Sequence, residues 1–114
     1  MLYTELQIGS EVYKLRLNTR ASMGLEKALG YNPITLFMDI ENGKMPRLTD
    51  IVIILHSCLQ AYHHGFNMDK TVDLFDEYVA DGHSMIDLIP IFIEVFKQSG
   101  YISTEANEDS NEKN

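Results

Sequence analysis

The spacing of apolar residues changes near residue 18, and this change divides the chain into a β part and a helical part. Before that point apolar side chains alternate over residues 2–8 and again over residues 11–17, on either side of Gly9 and Ser10. Alternation around a short glycine-containing turn predicts a β-hairpin. Because an isolated hairpin is only marginally stable in water, we expect this one to pack on the helices.

After residue 18 the spacing becomes helical, and it is interrupted by residues that start or stop helices. Capping residues begin each run, and a glycine follows it. The caps are Asn18 or Thr19, Asn32 with Pro33 at the first helical position, Thr49, Asn67, and Ser84 with Asp87 as its capping-box partner. They predict helices over residues 19–29, 33–40, 50–64, 68–81 and 85–99. We therefore predict an α+β fold, mostly α, in which the N-terminal β-hairpin packs on a bundle of four to five helices.

The length of 114 residues suits one domain of ordinary size. We assign residues 1–102 to a single helical domain with the N-terminal β-hairpin. Residues 103–114 contain four acidic residues and one lysine among polar residues. This composition predicts a disordered acidic tail that is dispensable for folding.

The charge of the chain argues against two kinds of partner. The formal net charge is -8, and the nine basic residues are scattered. Nucleic acids and anionic membrane surfaces are bound by clustered Lys and Arg, so we expect neither partner. The longest apolar segment, residues 85–96, is too short to cross a bilayer. A single cysteine and a start unlike a signal peptide predict a cytosolic protein.

The histidines do not have the spacing of a metal site. In the predicted third helix, His56 and His63 lie on one side but seven residues apart, a rise of roughly 10 Å. Two ligands of one zinc ion normally lie one helical turn apart or closer. His64 diverges from His63, and His83 falls in a turn. We expect four ordinary surface histidines and no metal.

Catalytic chemistry has equally little support in the sequence. The carboxylates of the predicted fourth helix lie opposite an apolar stripe and should face water, unlike catalytic carboxylates in clefts. The stripe comprises Met68, Val72, Phe75, Tyr78 and Val79, and the carboxylates are Asp69, Asp73, Asp76 and Glu77. Cys58 lies on the apolar face of its helix and is expected to behave as a small hydrophobe. No phosphate-binding glycine loop or nucleophile elbow is present, so we expect no enzyme activity and no cofactor.

The last predicted helix has an unusually wide apolar face. Its apolar residues cover an arc of about 220° on a helical wheel, whereas a helix on the outside of a small domain needs roughly 100–140°. One edge of the arc is formed by Ile91 and Val95, and the other by Ile86 and Ile93. Either the helix is central and covered by the others, or an edge binds a partner protein. These four residues are therefore the candidate partner-binding residues.

The order of elements and five short segments of the sequence resemble those of a known family. The segments lie at residues 15–21, 25–30, 32–37, 51–65 and 72–82, from the end of the hairpin to the start of the final apolar helix. Up to about Ile102, the chain is similar to the tail assembly chaperones of long-tailed phages, prophages and gene transfer agents. That family has no catalytic residues, so the resemblance implies no active site.

The resemblance implies a function in tail assembly. Such a chaperone binds the tape measure protein in the cytoplasm of the bacterial host cell and keeps it soluble and extended. It is displaced by the tail tube protein and is absent from the mature particle. We accordingly expect the tape measure protein and the tail tube protein as partners. The wide apolar face of the last helix also suits contacts with further copies of the chain. Many members also have a longer form made by ribosomal frameshifting near the end of the short reading frame.

Two other functions remain open at the level of the sequence. The chain could be a structural head–tail or tail component that is retained in the virion. A small regulatory or antitoxin-like helical protein is a weaker alternative, because the chain has no basic patch. A gene position between a tail tube gene and a very long helical gene would favour the chaperone.

Overall fold

A computed structural model describes residues 2–102, in which a two-stranded antiparallel sheet precedes five helices. The elements are β1 (Thr4–Ile8), β2 (Glu11–Leu15), α1 (Thr19–Leu29), α2 (Pro33–Glu41), α3 (Leu48–Leu59), α4 (Met68–Ala80) and α5 (Met85–Lys97). The predicted α+β, mostly α fold is confirmed. The predicted acidic tail, residues 103–114, lies outside the described residues.

The hairpin packs on the helices through one face. Its turn places Gly9 in the left-handed region, with φ of 61°, which glycine adopts without steric cost. The register pairs Leu6 with Tyr13. The leucines and isoleucine of the inner face are buried: Leu6, Ile8, Leu15 and Leu17. Just after β2, the Arg16 amide donates a 2.9 Å hydrogen bond to the Cys58 carbonyl, which ties the hairpin to α3.

Helix α3 lies at the centre of the fold. Helices α1, α4 and α5 and strand β2 all pack on it. Its inward residues are completely buried: Ile51, Ile54, Leu55, Cys58 and Leu59. Complete burial of one such aliphatic side chain stabilises a fold by about 1.5–3 kcal/mol. The hydrophobic core is therefore organised around this helix.

Side-chain caps and left-handed glycines set most of the helix boundaries. Asn18 caps α1 by accepting a 2.9 Å hydrogen bond from the Ala21 amide, and Asn67 caps α4 in the same way. Gly30 follows α1 with φ of 83°. The boundaries predicted for α1, α2, α4 and α5 therefore agree with the structure to within two residues.

Helix α3 is shorter than the sequence predicts. It begins at Leu48 without a side-chain cap, so Thr49 is not its N-cap, and it ends at Leu59 instead of His64. The Gln60 amide group donates to the His56 and Phe66 carbonyls at 2.9 and 2.8 Å. The first bond satisfies the His56 carbonyl, which the Gln60 backbone amide would have bound in a continuing helix. The chain then turns towards the hairpin, where Phe66 packs edge-on against Tyr13.

The buried face of α4 also differs from the predicted apolar stripe. The buried residues are Thr71, Leu74, Phe75 and Tyr78, whereas Met68, Val72 and Val79 are exposed. Thr71 can be buried because its hydroxyl donates a 2.8 Å hydrogen bond to the Asn67 carbonyl. Since α4 contacts both α3 and β1, its position between them decides which residues are covered.

Candidate functional site

Helix α5 presents one face to the core and another to a groove. Its start is fixed by a capping box between Ser84 and Asp87, in which the Ser84 amide donates to the Asp87 carboxylate at 2.9 Å. The buried face consists of Leu88, Phe92, Val95 and Phe96. This face packs against α3 and β1, so the helix is held in place independently of its outer residues.

The structure separates the two edges of α5 that the sequence singled out. Val95 is 0% exposed and Ile91 is half-buried against the core. The prediction that this edge is open to a partner is therefore wrong for Val95, because the hydrophobic core covers it. On the other edge, Ile86 and Ile93 are 43% and 40% exposed.

Ile86 and Ile93 form an outward row with Ile89, which is half-buried. Positions 86, 89 and 93 follow the spacing of one helical face. The row is apolar throughout, and no charged side chain interrupts it. It therefore forms one continuous apolar strip along α5.

Helix α2 forms the opposite side of the groove. Asn32 caps it by accepting a 3.0 Å hydrogen bond from the Ile34 amide, and Pro33 occupies its first turn. Pro33 and Leu36 are buried and attach the helix to the fold. Three further apolar residues, Ile34, Phe37 and Ile40, are only half-buried, and Met38 is exposed. A nine-residue helix thus carries more apolar surface than its own packing covers.

The groove between α2 and α5 has a volume of about 230 Å³. The α2 side contributes Ile34, Phe37, Met38, Ile40 and Glu41, and the α5 side contributes Ile89, Ile93 and Phe96, with Ile102 beside them. At its base the rings of Phe37 and Phe96 meet edge-on, with centroids 5.0 Å apart. Ile93 is thus brought together with the apolar residues of α2, whereas Ile86 extends the α5 strip beyond the groove.

The chemistry of the groove is that of a binding surface. Glu41 is the only ionisable side chain among the residues that line it. Lys97, near the end of α5, lies 3.3 Å from the Glu94 carboxylate. An apolar groove between two helices, with charges only at its rim, can accept the apolar face of an amphipathic helix.

The structure differs from the prediction in the relation of His56 to His63 and in the environment of His63. Because α3 ends at Leu59, His56 and His63 do not share a helix face. His63 is not an ordinary surface histidine, since its Nε2 atom accepts a 2.9 Å hydrogen bond from the Lys14 amide. Partial burial and then the Lys14 charge lower the pKa of His63. Within residues 2–102, no group of three or more His, Cys, Asp or Glu side chains could hold a metal ion.

Cys58 and the α4 carboxylates are placed as the sequence predicted. Cys58 is completely buried, and this burial raises the pKa of its thiol. Asp69, Asp73, Asp76 and Glu77 are exposed. Among the helices of the described part of the chain, none has the length and apolarity needed to span a membrane.

Sequence reasoning missed the α2 side of the groove. Six of the nine residues of α2 are apolar, which is the same excess that drew attention to α5. Applying the wheel argument to α2 would have indicated Ile34 and Met38, which are four residues apart and share one side of the helix, as a second uncovered edge. The position of α2 opposite α5, however, depends on tertiary packing, because α3 and α4 lie between these two helices in the sequence.

One family model matches residues 3–113 of the chain, and its description is a family of unknown function (DUF6096). No curated protein and no solved structure matches the chain.

Proposed function

The chain belongs to the DUF6096 family of unknown function, and we propose that it is a tail assembly chaperone. In this proposal the protein binds the tape measure protein of a phage or prophage and keeps it soluble while the tail is assembled. The observation that carries the proposal is the apolar groove between α2 and α5. The similarity of the sequence to tail assembly chaperones gives the groove its client.

The groove suits a helical client better than a small molecule. It is open along its length between two helices, and its residues are aliphatic or aromatic apart from Glu41. A small-molecule site normally has several convergent polar groups that fix the orientation of the ligand. An amphipathic helix needs only apolar side chains at one-turn spacing, which the Ile86, Ile89 and Ile93 strip can contact.

The groove also explains how one small protein can act on a long, aggregation-prone chain. Covering the apolar face of a client helix removes that face from other copies of the client. Contacts made by side chains such as Ile93 and Met38 require no defined client sequence, only apolar residues at helical spacing. Several copies can therefore occupy successive segments of one tape measure protein.

The remaining parts of the proposal follow from this function. The protein acts in the cytoplasm of the bacterial host cell, is released when the tail tube protein replaces it, and is absent from the mature particle. It needs no catalytic residue, cofactor, nucleic acid or membrane. Release during assembly requires reversible binding, which a shallow apolar groove of about 230 Å³ can provide.

Co-expression with the tape measure protein tests the proposal. The wild-type chain should keep the tape measure protein in the soluble fraction and co-purify with it. The double variant Ile93→Ser with Met38→Ser should lose both effects, because it makes both sides of the groove polar. Val12→Ser is the matched control, since Val12 is exposed on the hairpin, away from the groove.

Two results would refute the proposal. One is an insoluble tape measure protein in the presence of folded wild-type chain. The other is equal recovery of the tape measure protein with wild-type chain and with the groove variant. Detection of the chain at a fixed copy number in purified particles would instead indicate a structural tail component.

A further inference from the structure

Helix α1 carries two exposed basic residues on its outer face. Arg20 and Lys27 lie on either side of Gly24, at the spacing of one helical face, and all three are exposed. Within residues 2–102, neither basic side chain forms an ion pair. This face of α1 thus carries positive charge that the described part of the fold does not neutralise.

Gly24 is not required by packing within the chain. It lies inside α1, where glycine costs about 1 kcal/mol relative to alanine. A Cβ atom built at Gly24 would have no heavy atom within 4 Å apart from its chain neighbours and the adjacent backbone of its own helix. A helical glycine that the fold does not need is suited to the close approach of a second backbone.

A cleft beside Gly24 contains a polar side chain without a partner. The cleft lies between α1 and the end of α3, has a volume of about 350 Å³, and is lined by Ala21, Gly24, Ala28 and Ser57 among others. Ser57 is only 6% exposed, and its hydroxyl makes no hydrogen bond to any residue in 2–102. The hydroxyl is therefore available to form a hydrogen bond with a polar group that enters the cleft.

Helix α4 carries a complementary face. Asp69, Asp73 and Asp76 repeat the spacing of Arg20, Gly24 and Lys27, and they are exposed. The described residues form no ion pair with these three carboxylates. Both outer charges of each face are seven residues apart, which is about 10.5 Å along a helix.

We propose that the α1 face of one copy binds the α4 face of a second copy. Arg20 and Lys27 pair with Asp69 and Asp76 of that copy, while Asp73 lies opposite Gly24, within reach of the Ser57 hydroxyl. A pairing of α1 with α1 is disfavoured, because it would bring Arg20 and Lys27 together with themselves. Charge complementarity therefore selects α4 as the occupant of the α1 face.

The contact is heterologous, so it propagates. Helices α1 and α4 both pack on α3 and not extensively on each other, so the two faces lie on different sides of the molecule. When two copies bind, one keeps a free α1 face and the other a free α4 face. Further copies can therefore add in a line unless the array closes into a ring. Neither face includes a residue that lines the groove between α2 and α5, so every copy in the array keeps its groove open.

Charge reversal on each face tests the inference with the protein alone. Arg20→Glu with Lys27→Glu makes the α1 face acidic, and Asp69→Lys with Asp76→Lys makes the α4 face basic. Sedimentation velocity at low ionic strength should show concentration-dependent association of the wild type. Each variant alone should associate at least about tenfold more weakly, because two attractive pairs become repulsive. Far-UV circular dichroism verifies that both variants are folded.

Mixing the two variants gives the decisive measurement. The reversed α1 face of one complements the reversed α4 face of the other, so an equimolar mixture should assemble again. Lys44→Glu is the control for charge alone, since Lys44 lies outside both faces, and it should assemble like the wild type. A monomeric wild type at every concentration, undiminished association of either variant, or a mixture that stays monomeric would overturn the inference.

Discussion

Helix α5 allows a direct comparison between a core position and a groove position. Val95 is 0% exposed and Ile93 is 40% exposed, although the two residues lie only two positions apart. Serine has a helix propensity close to that of valine and isoleucine. Substitution of each by serine therefore isolates the effect of burial.

The expected costs differ by about 2 kcal/mol. For Val95→Ser, removal of buried methyl groups costs about 0.8 kcal/mol each, and a buried hydroxyl without a partner adds about 1–3 kcal/mol. For two methyl groups the sum is about 2.6–4.6 kcal/mol. For Ile93→Ser, part of the side chain is already in water and the new hydroxyl remains hydrated, so the cost is about 1–2 kcal/mol.

Urea-induced unfolding monitored by far-UV circular dichroism measures both values. Since a domain of this size is stabilised by roughly 5–15 kcal/mol, Val95→Ser should shift the midpoint strongly and still give a measurable transition. Val95→Ala, which introduces no hydroxyl, should fall between the two. Equal costs for Val95→Ser and Ile93→Ser would mean that both edges of α5 have the same environment, and the assignment of the groove would fail.

Three further predictions concern other parts of the fold. Cys58 should react with a maleimide only as fast as the domain unfolds, because it is fully buried and burial raises the pKa of its thiol; fast labelling of the folded protein would contradict this. The pKa of His63 is lowered from 6.5 in the folded state, so its contribution to stability is present above about pH 6.5 and lost as the pH falls below that value. Unfolding of wild type and His63→Gln between pH 5 and pH 8 (about the range in which histidine titrates) should show the loss only in the wild type. Gly24→Ala should raise the melting temperature of the monomer by several degrees, given about 0.5–1 kcal/mol of helix propensity, and a lower melting temperature would show that Gly24 is required within the chain.

Local signals were sufficient for the elements that begin and end on caps. The side chains of Asn18, Asn32 and Asn67 accept the expected hydrogen bonds from backbone amides. The Ser84 and Asp87 capping box forms as predicted. In each case the two hydrogen-bonding groups lie within three residues of each other, so the interaction can be predicted from the sequence without knowledge of the fold.

Interactions between distant segments explain the differences. The end of α3 depends on Gln60, which binds the Phe66 carbonyl, and on the packing of Phe66 against Tyr13 of the hairpin. The buried face of α4 depends on its contacts with both α3 and β1. Helical periodicity alone indicates how many apolar residues a helix has, but the neighbouring elements decide which of them are covered.

Helical periodicity indicated the α5 side of the candidate site but not the α2 side. The excess of apolar residues on α5 indicated Ile86 and Ile93, and both are exposed. The same argument included Val95, which the core covers. The facing side chains of α2, such as Phe37, were not predicted, because the approach of α2 to α5 results from the packing of the whole domain.

Titration of tape measure segments into the protein is the sharpest test of the groove as a client-binding site. Labelled peptides that together cover the tape measure protein can be titrated with the wild-type chain, with Ile93→Ser and Met38→Ser combined, and with the Val12→Ser control, using fluorescence anisotropy. Peptides that form amphipathic helices should bind the wild type and the control equally. The same peptides should bind the groove variant at least about tenfold more weakly, which corresponds to about 1.4 kcal/mol. Equal affinity of the groove variant and the wild type, or no binding of any peptide to the folded wild type, would rule out the groove as the client-binding site.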